Sequence, residues 1–453
     1  MMIHFGLEGL LPLVLYIGMF VAFALSMFWR PSLGIYIMVL TLPLQTGRAK
    51  LQQFPLGAEF IDILLLGTVL GLMLKGEQII PRSHLNRFFL LFAVFCYFSL
   101  WEGSFFINAP LPFWISDERF SDWKNYVEMF FFALIVASTI KEKAQVRILV
   151  LVMCISVLVV NRSFYSTMSN RDLTHFSYEV RDSGPLGYAG VNGLAAFEAM
   201  FASFLLGIYS MVEKRIVKAG ILAMLATCGY CLLYAFSRGG YIAFLVGLIT
   251  IGLFKTRWFL ILAVVMVLGW QTLLPVSVQE RITMTTADAA EGQQFDSSAQ
   301  DRLVLWHDAI ELFKRNPITG AGFSTYKFMG RVGGYRDTHN YYIKILAEMG
   351  VVGMLLFLTL LGKLFRSGIN LFYGAEDPFW RAVALGFTAA TASLIVANFF
   401  GDRWTYQQLN GYMWVMLGCV IRGLITVREQ QEKAEADIDL PAYSIQEAEL
   451  AAV

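Results

Sequence analysis

Thirteen apolar runs follow one another along the chain, near residues 10–28, 32–45, 59–74, 88–101, 125–140, 146–160, 190–211, 216–236, 240–254, 258–275, 341–362, 382–400 and 408–424, with charged or Gly/Pro punctuation between them. An apolar stretch of about 20 residues is accommodated across a bilayer as a helix, because hydrocarbon offers no partner to an unpaired backbone amide. The second run is short and contains Pro43, so twelve or thirteen spans are expected. With 57% of its 453 residues hydrophobic and 15% charged, the chain is not a soluble enzyme carrying one anchor. The predicted fold class is an all-α polytopic membrane protein. No Lys or Arg precedes the first run and no cleavage site follows it, so that run reads as a retained helix.

Alternate short connections hold the positive clusters Lys75/Arg82/Arg87, Lys141/Lys143/Arg147, Lys214/Arg215/Lys218, Lys255/Arg257 and Lys363/Arg366/Arg381. The positive-inside rule places these in the cytoplasm. Residues 46–58, 102–123, 161–189, 237–239, 276–340 and 401–407 then face outward. The chain divides into an N-terminal bundle (1–275), a long outer loop (276–340), C-terminal membrane helices (341–425) and an acidic cytoplasmic tail (426–453), frayed or disordered. A net charge of +1 supplies no long-range field for nucleic acid, so an anion has to be met by individually placed arginines. All five cysteines lie inside apolar runs, and no His/Asp/Glu set has metal-ligand spacing, so neither a disulfide, a metal nor a cofactor is expected.

An outer segment of this length carries structure or function of its own. Residues 298–316 read as an amphipathic helix, capped by Ser297 or Ser298 and ended by Asn316-Pro317. Leu303, Trp306, Ala309, Ile310 and Phe313 are expected on its apolar face, against the membrane surface or the outer mouth of the bundle. Arg302 is centred on that same face, in the first turn, where the helix dipole also disfavours a cation. Either a bound anion compensates it, or it snorkels to headgroups or pairs with Asp301 or Asp296.

Two further positions stand out. Arg238 lies in Phe236-Ser237-Arg238-Gly239-Gly240, where two apolar runs meet with almost no loop. A charge at that boundary beside two glycines is either a ligand-binding residue or an interface arginine in a tight helical hairpin. His339 stands in Asp337-Thr338-His339-Asn340-Tyr341-Tyr342 at an outward membrane mouth, with Arg331, Tyr335 and Arg336 upstream. It is either a general base for a hydroxyl, or a helix-capping histidine bonded to backbone. Lys344 and Glu348 are expected to pair along the helix that follows.

Taken in order, Ser237-Arg238-Gly239-Gly240, Arg302-x-x-x-Trp306, Asn316-Pro317-Ile318-Thr319-Gly320-Ala321-Gly322, His339-Asn340 and Leu346-Ala347-Glu348-Met349-Gly350-Val351-Val352-Gly353 resemble the bacterial O-antigen ligase and O-antigen polymerase superfamily. The likeness runs from about Tyr234 to Gly353. It implies a GT-C-like, lipid-dependent glycosyltransferase bundle with one structured periplasmic loop, in the bacterial inner membrane. The implied reaction is metal-independent and inverting. It moves a glycan from undecaprenyl diphosphate to a sugar hydroxyl of lipid A-core on the periplasmic face. Other members pass the glycan to a second lipid-linked unit as polymerases, or to a protein Ser or Thr as oligosaccharyltransferases. The superfamily's diphosphate-binding arginines map onto Arg238 and Arg302 and its catalytic histidine onto His339; Trp306, Tyr335, Arg336, Arg331 and Asn340 complete the expected substrate-binding set. The ligase is placed first because the outer segment is single and its charges nearly cancel. A polytopic transporter of lipid-linked glycan is the alternative from another class, disfavoured because the candidate residues gather on one face and no internal repeat is visible.

Overall fold

The computed structural model describes residues 10–290, 297–333 and 335–438. In chain order its main helices are α1 (Leu11–Phe28), α2 (Pro31–Thr41), α3 (Phe60–Leu74), α4 (Asn86–Phe106), α5 (Glu118–Thr139), α6 (Lys143–Met168), α7 (Gly190–Tyr209), α8 (Arg215–Tyr234), α9 (Arg238–Phe254), α10 (Trp258–Leu268), α11 (Val276–Ala290), α12 (Ser297–Arg315), α13 (Tyr341–Gly374), α14 (Pro378–Ala397) and α15 (Gln407–Ile438). The described residues contain no strand. Nine of these helices are long and apolar enough to cross a membrane, and α2, α9 and α10 are shorter apolar helices. The chain is an all-α polytopic membrane protein. Each expected apolar run is mainly helical; the helix of the 32–45 run ends at Thr41, and the 258–275 run breaks at Gly269 and resumes as the single turn Trp270–Leu273. Of the acidic tail, residues up to Ile438 continue α15, and 439–453 fall outside the described residues.

Local chemistry sets the helix starts. Pro31 and Pro378 occupy first-turn positions, where a missing amide costs nothing. Asp117 and Asp377 cap α5 and α14 by accepting from Arg119 N and Phe379 N, and Glu142 and Gln145 form a capping box on α6. The centre of the bundle is α7, packed on α8, α9 and α14. Its Ala195, Ala199, Ala202 and Ser203 are buried, and small side chains let helix backbones approach. At the α7–α14 crossing a Cβ on Gly207 would overlap the backbone of Gly386.

The connections separate into the two sets expected from charge. At one end Lys141 pairs with Glu77 at 2.6 Å, Lys143 pairs with Asp377, and His84 Nε2 lies 3.1 Å from Ser367 Oγ. At the other end Gln408 donates to Gln45, Lys327 pairs with Glu118 and Asp122, Asn316 donates to Glu102, and His175 Nδ1 meets Glu280 at 2.6 Å.

The outer segment differs from expectation in two respects. It begins with a second helix, α11, and α12 is rotated about its axis: Leu305, Ala309 and Leu312 are the buried residues, while Leu303 and Ile310 are exposed. The inner face packs on Ala321, Tyr326 and Ala347 of the same chain. Asp308 joins that side, held by Arg331 and the Tyr326 hydroxyl. The capping expected of Ser297 or Ser298 and a pairing with Asp296 fall on side chains outside the described residues.

Candidate active site

At the end of the bundle opposite the Lys141 and Lys143 pairs the α8–α9 hairpin turns through Phe236, which has φ of 50°. Arg238 opens α9, half-buried. The two glycines after it serve helix packing, since a Cβ on Gly239 would press on the Phe400 ring and one on Gly240 on Ala195. Arg281 reaches this corner from α11. It is buried, its Nε donates to Phe236 O at 3.4 Å, its Nη1 lies 3.3 Å from the Tyr178 hydroxyl, and its guanidinium covers the rings of Phe176 and Tyr178 at 5.0 and 5.3 Å. Arg181 donates to Asn192 Oδ1 at 2.9 Å. Burial, then the Arg281 guanidinium, with a smaller push from Arg302, bring Arg181 down to about 10. The Arg281 and Arg302 guanidiniums are thus each within electrostatic reach of Arg181, which favours an anion beside it.

Beneath this corner an apolar cavity of about 590 Å³ runs between α7, α8, α9 and α10; Leu206, Leu233, Phe244, Met266, Tyr241 and Ile282 are among its walls. Ile282 adjoins Arg281 in the chain, and the Tyr241 hydroxyl donates to Leu233 O at 2.7 Å. Through Ile282 the cavity wall is thus continuous in the chain with Arg281.

The histidine loop is docked on the first turns of α12. Tyr335 Oη donates to Asp301 Oδ2 at 3.0 Å and Trp306 Nε1 donates to Thr338 O at 3.0 Å, so the two tethers flank Arg302. His339 has φ of 54°, a left-handed backbone that a non-glycine residue holds only when its surroundings enforce it. Those surroundings are Thr338, whose hydroxyl donates to Asn340 O at 2.7 Å, and the Asn340 side chain, which accepts from Tyr342 N and Ile343 N to cap α13. The imidazole remains partly exposed, with the Tyr335 ring edge-on at 5.8 Å. Of the expected substrate-binding set, Tyr335 and Arg336 are exposed and Trp306 half-buried. Arg331 spends its guanidinium on Asp308, through Nε at 2.9 Å and Nη2 at 2.8 Å, and Asn340 is buried as the cap.

Lys344 and Glu348 do not pair as expected. Lys344 Nζ donates to Asp402 Oδ2 at 2.9 Å, and the buried Glu348 carboxylate accepts from Ser324 N and Tyr326 N at 3.2 and 3.0 Å. Tertiary partners of full charge or fixed geometry outcompete a solvated pair along one helix, which is worth only about 0.3–0.5 kcal/mol.

Around Glu348 the chain makes a clasp. α13 breaks at Gly350 (φ 61°, ψ −162°), and the segment 317–322 fills the break. Ala321 N and Gly322 N donate to Ala347 O and Glu348 O, while Val351 N and Val352 N donate to Pro317 O and Ile318 O. Gly322 packs in turn against Gly103 of α4.

Residues 222–358 match a family whose model is described as O-antigen ligase. The match supports the O-antigen ligase and polymerase superfamily. No curated protein matches the chain. The matched segment runs from α8 into α13 and takes in Arg238, Arg281, Arg302 and His339, together with both segments of the clasp. It points to a glycosyltransferase-like enzyme. Arg281 and Arg181 were not singled out by the sequence. Arg281 is one of many charges on a long loop, and its aromatic cradle, Phe176 and Tyr178, is 103 residues away at the Tyr178 contact. Arg181 lies outside the O-antigen ligase match.

Proposed function

We propose that this chain is an O-antigen ligase-type glycosyltransferase that moves a glycan from undecaprenyl diphosphate to a sugar hydroxyl, lipid A-core in the first instance, at the outer face of the bacterial inner membrane. The observation that carries the reading is the apolar cavity lined by Ile282, the residue next to buried Arg281, with Arg281 and Arg302 both acting on Arg181 and the His339 loop tethered on either side of Arg302. A polyprenyl chain suits the cavity, and a diphosphate suits the guanidiniums, each of which offers a planar two-donor fork.

In this mechanism the acceptor hydroxyl attacks the anomeric carbon from the face opposite the diphosphate, its proton passes to His339, and the bond from that carbon to the phosphate oxygen breaks with inversion. Arg238, Arg281 and Arg302 stabilise the charge that grows on the departing diphosphate. A diphosphate leaves as a weak base, so no protonating acid is required. Trp306 and Tyr335 offer ring faces to the sugar. The outward orientation is supported by the positive clusters, which collect at the opposite end of the bundle.

The test is His339→Ala in lipid nanodiscs with a lipid-linked glycan donor and lipid A-core. Transfer is expected to fall by about 10²–10⁴-fold, the usual contribution of a general base, with donor affinity retained. Undiminished transfer overturns the assignment of the base, and loss of donor binding places His339 in the binding machinery instead.

A further inference from the structure

Asp337 Oδ2 lies 3.6 Å from His339 Nδ1, a few tenths of an ångström beyond a hydrogen bond. Catalytic contacts are often long before substrate binds and tighten in the complex. The other oxygen, Oδ1, is buried and accepts no hydrogen bond. In this it differs from the chain's structural aspartates. Asp117 and Asp377 cap helices, and Asp402 accepts from Trp404 N, Thr405 N, the Thr405 hydroxyl and Lys344. Among the described residues Asp337 caps no helix, and its close polar neighbour is the imidazole.

Resting on the catalytic reading of His339, we infer that Asp337 is the positioning residue for that histidine, holding its Nδ1–H edge so that Nε2 faces the acceptor hydroxyl and balancing the imidazolium formed when the proton arrives. Asp337 takes no proton itself; the proton goes from the acceptor hydroxyl to Nε2 and stays there until released to solvent. The backbone supports this geometry, since the left-handed φ of His339 and the Thr338–Asn340 hydrogen bond leave the loop little freedom.

The surroundings keep the carboxylate charged. Burial favours its neutral form, but the contact with His339, then Lys344 from the first turn of α13, and Arg403 from the 401–406 connection outweigh it and draw the carboxyl down to about 2. Arg403, lowered chiefly by burial, is held by the carbonyls of Phe400 and Asp402. Asp402 answers Lys344 directly, and Tyr406, Tyr326 and Tyr335 complete the titratable groups around the pair.

The experiment is reaction of the full chain in nanodiscs with diethyl pyrocarbonate, which acylates neutral imidazole, read at each histidine by peptide mass spectrometry across the neutral pH range. In Asp337→Asn the pH of half-maximal labelling at His339 is expected to fall by about one unit, the usual effect of removing an opposite charge at this distance. Asp337→Glu is expected to restore it, and the exposed His175 and His307 serve as controls. Donor KM stays unchanged while kcat falls by about tenfold or more and its acid limb moves the same way. An unmoved His339 labelling curve overturns the inference and leaves Asp337 as a counterion for Lys344 and Arg403. Labelling needs no turnover, so it remains decisive even where His339→Ala retains transfer and the catalytic reading fails. Asp337→Ser makes the same measurement where Asp337→Asn does not fold.

Discussion

Arginine rather than lysine at three linked positions has a chemical reason. Arg181, Arg281 and Arg302 come from the 178–192 connection, α11 and α12, and Arg281 and Arg302 both act electrostatically on Arg181. A lysine at any of them keeps the charge and loses the two-point geometry. Arg302→Lys and Arg281→Lys are each expected to lower kcat/KM for the lipid-linked donor by about 10²-fold, the scale of losing one preorganised donor to a developing oxyanion. Wild-type kinetics in either variant would show that a cation anywhere in the mouth suffices. The same residues set the pH behaviour. Because the Asp337 carboxyl is drawn down to about 2, its ionised form contributes stability that is fully present above the unfolded value near 4 and is lost progressively as the pH falls from there through 2. An activity limb between about pH 5 and 8 therefore belongs to another group. Arg302 and His339 were legible because each violates a local rule, a cation in a helix's first turn and a histidine at a membrane mouth. Arg281 and Arg181 violate none, and only tertiary structure brings them to Arg302.

Among the elements, α12 and α13 show where pattern reading gains and loses. The apolar periodicity of α12 was visible, but its buried face is Leu305, Ala309 and Leu312, because Ala321, Tyr326 and Ala347 lie on that side and accept Asp308 there through Arg331. Helical periodicity reports an apolar stripe and is silent about which neighbour selects its edge. The glycine-containing pieces at 316–322 and 346–353 were visible as motifs; that they are two halves of one clasp was not, because their hydrogen bonds are between backbones and leave no side-chain signature. Gly350 has a backbone conformation open almost only to glycine, and a Cβ there would overlap Ile318. Gly350→Ala is expected to destabilise the protein by about 3 kcal/mol or more in thermal unfolding followed by intrinsic fluorescence. Gly362→Ala, farther along α13 with open space at its Cβ, is expected to be neutral or stabilising by a few tenths to about 1 kcal/mol. Equal behaviour of the two variants would remove the clasp as a source of stability.

For the whole molecule, the bundle was legible because each run of about 20 apolar residues carries its own answer in hydrocarbon. What the runs did not disclose is the interior of the bundle. α7 is buried almost throughout and α1 scarcely at all, although both are apolar helices of similar length, since hydropathy does not distinguish a lipid-facing from a protein-facing surface. The proposed orientation makes a test at this scale. Arg336→Cys is expected to react with a membrane-impermeant maleimide in intact spheroplasts, and Lys214→Cys only after permeabilisation. The reverse pattern would turn the bundle over and move the arginine mouth to the cytoplasm. The native cysteines give little background, four being buried and Cys154 partly so.

The clasp also sorts the chain by what is free to vary. Its segments at 317–322 and 347–352 close the intervening residues into a local excursion that starts and ends at the same place on the bundle. Extending such an excursion is cheap, since doubling its length adds only about 0.6 kcal/mol of closure entropy. Insertions at exposed Gly330, ahead of the Arg331 and Tyr335 anchors, are therefore expected to be absorbed without refolding the helices beneath. On the proposed function, a scaffold of this kind allows the arginine corner to stay fixed while the residues that would meet the acceptor change.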